Sequence, residues 1–229
     1  MASVREWAVL RGYDYRFVGD EIFDRVPDWY LAKIGDRKPI ATDFARLVLC
    51  EEALDQGYDQ VVWLDADVLV FDDGLSLDVK GDCAFGQECW VQRGANGKWS
   101  VRHNLHNALS VFAAGGATLP FLRQTVSSII QRADPQYIAP QMVGPKLLSA
   151  LGSIAGFTGL PAVGALSPAV IDVLVGLEPE QALQRLKDAA KGRAYAMNLC
   201  SSLISEENAN ALIARRCELA ELLNHSRLG

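Results

Sequence analysis

Asp65-Ala66-Asp67 sits between two apolar runs, Val61-Val62-Trp63-Leu64 before it and Val68-Leu69-Val70-Phe71 after it. A stretch that apolar reads as a buried strand. An ionised carboxylate is costly to bury unless it is paired or binds a cation. Residues two apart on an extended chain share a side. The spacing therefore predicts that Asp65 and Asp67 converge on one hard divalent cation, Mn²⁺ or Mg²⁺, with phosphate oxygens filling its remaining positions. The end of a buried strand in an α/β sheet is also where ligands bind. The structural alternative is a strand that ends in a turn with Asp caps.

A second constellation is Ala41-Thr42-Asp43-Phe44-Ala45-Arg46. On a helix Asp43 and Arg46 lie three apart and share a face. Taken alone the pair reads as an acidic first helical turn with a surface ion partner.

These groups need elements to hold them. Ser3-Val4-Arg5-Glu6 reads as a capping box opening a short helix that stops at Gly12. Residues 13–18 alternate like a strand, and residues 23–38 read as irregular with a short helix. Thr42 is expected to cap a helix with Phe44, Leu47, Val48 and Leu54 on its apolar face, ending at Gly57. The strand with the Asp pair follows at once. Further strands are expected at 83–86, 107–113 and 194–199, with 88–102 a polar loop or hairpin. Later helices are expected from Pro120 to Arg132, from Gly144-Pro145, from Glu178 to about Gly192, and from Ser205 to Leu223. Strands and helices alternate, which predicts an α/β sheet layered with helices.

The chain has 229 residues, half of them hydrophobic, and one domain is the default. A net charge of −6 gives no support for a nucleic-acid partner. Cys50, Cys83, Cys89, Cys200 and Cys217 are scattered and odd in number, which fits reduced thiols in a cytoplasmic protein. The most apolar region, 154–177, is broken by Gly156, Gly159, Pro161, Gly164, Pro168, Asp172 and Gly176, so no transmembrane segment is expected.

Thr42-Asp43-Phe44-Ala45-Arg46-Leu47, a helix, and then a strand reaching Trp63-Leu64-Asp65-Ala66-Asp67-Val68 resemble the Asp-x-Asp glycosyltransferases of the GT-A fold. The likeness is to the group with a glycosyltransferase sugar-binding region, the polysaccharide mannosyl- and galactosyltransferase-like proteins. It runs from about Ser3 to Leu151, and its specific part is the block from Asp43 to Asp67. The resemblance implies a single GT-A-like domain with a mixed, mostly parallel sheet flanked by helices. Residues 1–151 would form the donor and metal-binding core, and 152–229 its completion. The implied activity is transfer of a hexose from a nucleotide-diphosphate sugar to a saccharide or glycolipid acceptor, with a retaining outcome.

By the same resemblance Asp65 and Asp67 hold the metal on the diphosphate, while Asp43 and Arg46 lie by the donor sugar. Arg46 would also act catalytically as a fixed positive charge. Asn107, in His106-Asn107-Ala108-Leu109-Ser110, matches an Asn near the donor sugar, and Gly144-Pro145 matches the start of an acceptor-side helix. The group often supplies a C-terminal His as a further metal ligand. The corresponding stretch here carries Asn198 instead, and His225 lies close to the chain end. The chain also opens almost at the helix that follows the group's first nucleotide-holding strand: either the start is misassigned, or the fold has lost that strand, or another segment replaces it.

His103 and His106 read as surface histidines, with an acceptor or phosphate contact as the alternative. Trp90 and Trp99 flank Arg93-Gly94-Ala95-Asn96-Gly97-Lys98, either a loop stacking on a sugar or a hairpin with its aromatics packed on the body. Two other functions fit the Asp pair. A haloacid dehalogenase-like phosphatase also has an apolar strand ending Asp-x-Asp, but wants a Thr after it, where Val68-Leu69 stand. A catalytically degenerate sugar-nucleotide-binding or scaffold module is the non-enzymatic alternative.

Overall fold

The computed structural model of the protein describes residues 1–224. His225 lies outside them. Helix α1 (Ala2–Arg11) ends at Gly12, whose φ of 71° is the left-handed turn-off that glycine adopts without a steric penalty. Ser3 does not cap it. Its Oγ accepts from Val70 N (3.2 Å), and Trp7 Nε1 donates to Leu75 O (3.0 Å), so α1 is pinned along β2 (Val68–Val70). Residues 13–19 pair with no strand among the described residues, contrary to the alternation read there. A 3₁₀ turn (Asp20–Arg25) and α2 (Asp28–Ile34) follow.

Helix α3 (Lys38–Asp55) starts one turn before the expected cap, with Pro39 in its first turn. Thr42 is therefore inside the helix, and its Oγ1 donates back to Lys38 O (3.1 Å). The earlier start leaves Asp43 and Arg46 on the buried face beside Ile40, Phe44 and Leu47. They are 7% and 5% exposed, so they are not a solvent-facing pair.

The strand predicted through the Asp pair is two strands. β1 (Gln60–Leu64) and β2 are separated by a turn at Asp65–Asp67, closed by Val68 N donating to Asp65 O (3.0 Å). The remaining strands are β3 (Cys83–Arg93), β4 (Trp99–Ala113), β5 (Thr158–Leu160), β6 (Val163–Ala165) and β7 (Ala196–Asn198). β1 belongs to a sheet of order β1-β4-β3-β5, and β2 to one of order β2-β7-β6. Three pairings are antiparallel (β1 with β4, β2 with β7, β3 with β4) and two are parallel (β3 with β5, β6 with β7). The protein is α/β with mixed sheets flanked by helices, but not mostly parallel. The reason is local: residues 83–113 form one long hairpin, and hairpins are antiparallel.

Helices α4 (Thr118–Arg132) and α5 (Pro145–Ala155) pack with α2 and α3 on one side of the first sheet. Helices α6 (Pro168–Leu174), α7 (Gln181–Ala189), α8 (Glu206–Ala214) and α9 (Arg216–Leu223) share a second apolar cluster with the hairpin. The single terminal helix expected is thus two. A third cluster, including Trp7, Val68, Val70, Leu109, Val111, Val163 and Ala196, joins α1 and both sheets. No helix among the described residues is long and apolar enough to cross a membrane.

Candidate functional site

The β3–β4 register shifts between Phe85, opposite Ser110, and Gly86, opposite His106. Residues 107–109 are extra on β4, a bulge of the kind that re-aims a side chain and frees backbone groups. Both happen here. The freed Asn107 C=O accepts from Arg46 Nη1 (2.5 Å), and Asn107 Nδ2 donates to Asp43 Oδ1 (2.7 Å). Arg46 also pairs with Asp43 Oδ1 (3.2 Å) and Asp65 Oδ1 (3.2 Å), and its guanidinium lies 5.7 Å from the Trp63 ring centroid. Trp63 Nε1 donates to the same Asp65 oxygen (2.7 Å).

Four of the sequence-selected residues, Asp43, Arg46, Asp65 and Asn107, thus form one network from α3, the end of β1 and β4. Gly144 belongs to it by absence of a side chain. A Cβ there would stand 2.4 Å from Asp43 Oδ2. Pro145 opens α5 directly behind it. Burial, which outweighs the opposing attraction of Arg46, pushes the Asp43 carboxyl up to about 6.

Asp67 is held by a different part of the chain. Its Oδ1 accepts from Asn198 Nδ2 (2.9 Å), and its Oδ2 from Ser201 N (3.0 Å) and Ser201 Oγ (2.9 Å). Asn198 turns its amide oxygen away, to Cys200 N (2.6 Å), so the oxygen expected as a metal ligand already has a partner. Ser201 was not singled out in the sequence. It lies 134 residues from Asp67, in a Ser-Ser pair with no flanking motif.

A cleft of about 1470 Å³ runs past these groups. It is lined by the whole of β1, by residues 13–20, by the start of α3, by Asn198 and by Cys200 to Leu203, with Asp65 and Asp67 on its wall. The outer edge of β1 has no strand partner among the described residues. The long polar stretch 88–102 resolves as the hairpin reading, split between the two faces. Trp99 packs on the body, with Arg93 and Arg185 over its ring, while Trp90 faces the cleft. His103 pairs with Ala189 O (2.9 Å) at the surface, whereas His106 is buried and lines the cleft.

The carboxylates expected to hold a cation number two, Asp65 and Asp67, both on the cleft wall. Among the described residues no group of three or more His, Cys, Asp and Glu side chains could hold a metal. Two hard oxygens suit Mg²⁺ or Mn²⁺ rather than a soft metal, and leave most positions to exogenous oxygens such as those of a diphosphate. Three carboxylates against one guanidinium also leave this wall negative. Comparison with protein-family models, curated proteins and solved structures returned no match.

Proposed function

We propose that the cleft takes a nucleotide-diphosphate sugar with Mn²⁺ or Mg²⁺, and that the chain moves a hexose from it to an acceptor hydroxyl. The observation that carries this reading is the convergence of Asp43, Arg46, Asp65 and Asn107 from three separate elements, next to Asp67, on the wall of one cleft. Asp65 and Asp67 would hold the cation, which when bound supplies Lewis-acid stabilisation of the departing diphosphate. Arg46, fixed by two carboxylates and a carbonyl, is a preorganised positive charge that need not reorient as negative charge develops. Asp43 and Asn107 would accept and donate hydrogen bonds to sugar hydroxyls, which sets the orientation of the anomeric carbon. Gly144 lets the Asp43 carboxylate sit flush against the start of α5.

The phosphatase alternative wants a lysine and a second acidic pair around the leading Asp. The side chains that bond Asp65 among the described residues are Arg46 and Trp63.

The test is calorimetric titration of Mn²⁺, then of UDP- and GDP-linked hexoses in its presence, into the wild type and into Asp65→Ala and Asp67→Ala. The reading expects metal-dependent donor binding, lost in both variants, and slow metal-dependent release of nucleotide. Donor binding that survives in either variant would remove the metal role. No binding by any donor would leave the non-enzymatic scaffold as the reading to pursue.

A further inference from the structure

The hairpin β3–β4 has two faces of different chemistry. Cys89, Val91, Trp99 and Val101 pack into the cluster with α6 and α7. The opposite face carries cross-strand pairs Gly86–His106, Glu88–Asn104 and Trp90–Arg102, with Gln92 beyond them. Glu88, Trp90, Gln92, Arg102, Asn104 and His106 all line the cleft.

His106 ends this row and is 4% exposed. Its ring occupies the space of the missing Gly86 side chain, where a Cβ would meet His106 Cε1 at 2.2 Å. His106 Nε2 lies 3.1 Å from Val163 O. A carbonyl only accepts, so Nε2 carries the hydrogen and Nδ1 is left with a lone pair. That Nδ1 is buried and has no hydrogen-bond partner among the described residues. Burial also pushes the imidazole down to about 4, so it stays neutral near pH 7. An orphaned buried acceptor is costly unless something donates to it.

The chemistry of the row narrows the donor. Phosphate and carboxylate anions bring only lone pairs and are repelled by Nδ1. The row carries one cation, Arg102, and one carboxylate, Glu88, whose Oε1 accepts from Asn104 Nδ2 (2.8 Å). That is too little positive charge to hold a phosphate. Trp90, its Nε1 tied to Gln92 Oε1 (3.2 Å), adds a half-buried flat ring suited to the C–H face of a sugar. We propose that this face of the hairpin is a second subsite for a neutral saccharide, and that His106 Nδ1 accepts a hydrogen bond from one of its hydroxyls. Naming the saccharide as the acceptor rests on the transferase reading above.

The test uses the full chain labelled with ¹⁵N-histidine, which gives only three residues to assign. Glucose, galactose, mannose and their methyl glycosides and disaccharides are titrated in, following the His106 Nδ1 resonance in two-bond ¹H–¹⁵N spectra. A shift of Nδ1 with the Nε2–H tautomer retained is expected. Two variants separate binding from packing. His106→Gln keeps a donor for Val163 O but lacks the Nδ1 acceptor, and saccharide affinity should fall about tenfold. His106→Asn keeps an acceptor near Nδ1 but not the Val163 bond, and affinity should be retained. A role in packing alone predicts the reverse order, which would overturn the proposal. So would saccharide binding with an unmoved Nδ1, or no binding across the panel. Binding of Mn²⁺ with UDP or GDP is measured on the same samples. Loss of nucleotide binding with saccharide binding intact removes only the transferase reading, and the opposite result removes only the subsite.

Discussion

Arg46→Ala is the most informative single change, because it strands a largely buried carboxylate at the edge of the cleft. Asp43 is 7% exposed, and in the wild type its Oδ1 has Arg46 and Asn107 as partners. Removing one side of a buried ion pair costs about 3–5 kcal/mol. The lower end applies here, since Asp43 already titrates near 6 and can take up a proton instead of remaining charged. For a chain of this size each kcal/mol moves the melting temperature by roughly 2–4 °C, so a fall of about 6–12 °C is expected at pH 7. Asp43→Asn on top of Arg46→Ala removes the stranded charge and should recover about half of the loss. The assay is calorimetric or circular-dichroism melting of the four proteins of the cycle. Melting of Arg46→Ala within about 2 °C of wild type would refute the account of a buried, mutually dependent pair. So would additivity in the double variant, which says the two side chains do not sense each other.

The remaining predictions concern the same network. Asp43 has a raised carboxyl pKa, so the folded state binds its proton more tightly than the unfolded chain does. Its stabilising contribution is full below the unfolded value of about 4 and is lost as pH rises through about 6. From pH 7 to pH 5 the wild type should gain about 1 kcal/mol relative to Asp43→Asn, read from urea unfolding at each pH, and parallel curves would contradict the buried carboxylate. In Gly144→Ala the new Cβ would press on Asp43 Oδ2 at 2.4 Å. A loss of about 1–3 kcal/mol is expected, together with weaker binding of nucleotide sugar but not of free nucleotide. An unchanged melting temperature would show that Asp43 moves aside freely.

What could be read from the sequence was the anomaly, not its geometry. Two charges inside an apolar stretch marked Asp65 and Asp67, and helical spacing placed Asp43 and Arg46 on one face. The apolar runs on either side of the pair suggested one strand. Asp-Ala-Asp, however, is turn chemistry, and a turn of that kind lets each run pair in its own sheet. The depth of Asp43 and Arg46 was hidden by a helix start at Lys38, which hydrophobic periodicity alone did not mark. The bulge that frees the Asn107 carbonyl, the His106 ring seated on Gly86, and the Ser201 contact to Asp67 all depend on residues distant in sequence. No local pattern encodes such pairings, so only the three-dimensional arrangement reveals them.

The turn at Asp65–Asp67 has a mechanical consequence. Asp65 is anchored to the first sheet, its N–H donating to Ala108 O (2.9 Å). Asp67 is anchored to the second, its C=O accepting from Leu199 N (3.0 Å) and its carboxylate from Ser201. The two carboxylates are therefore the two plates of a joint. A ligand that touches both acts as a rivet, and its binding free energy is felt by both halves of the molecule. Backbone amides along β7, beyond the Asn198 that meets Asp67, should then exchange more slowly when the joint is filled. In the same way, a substitution that loosens the α6–α9 side would weaken ligand binding without touching the ligand.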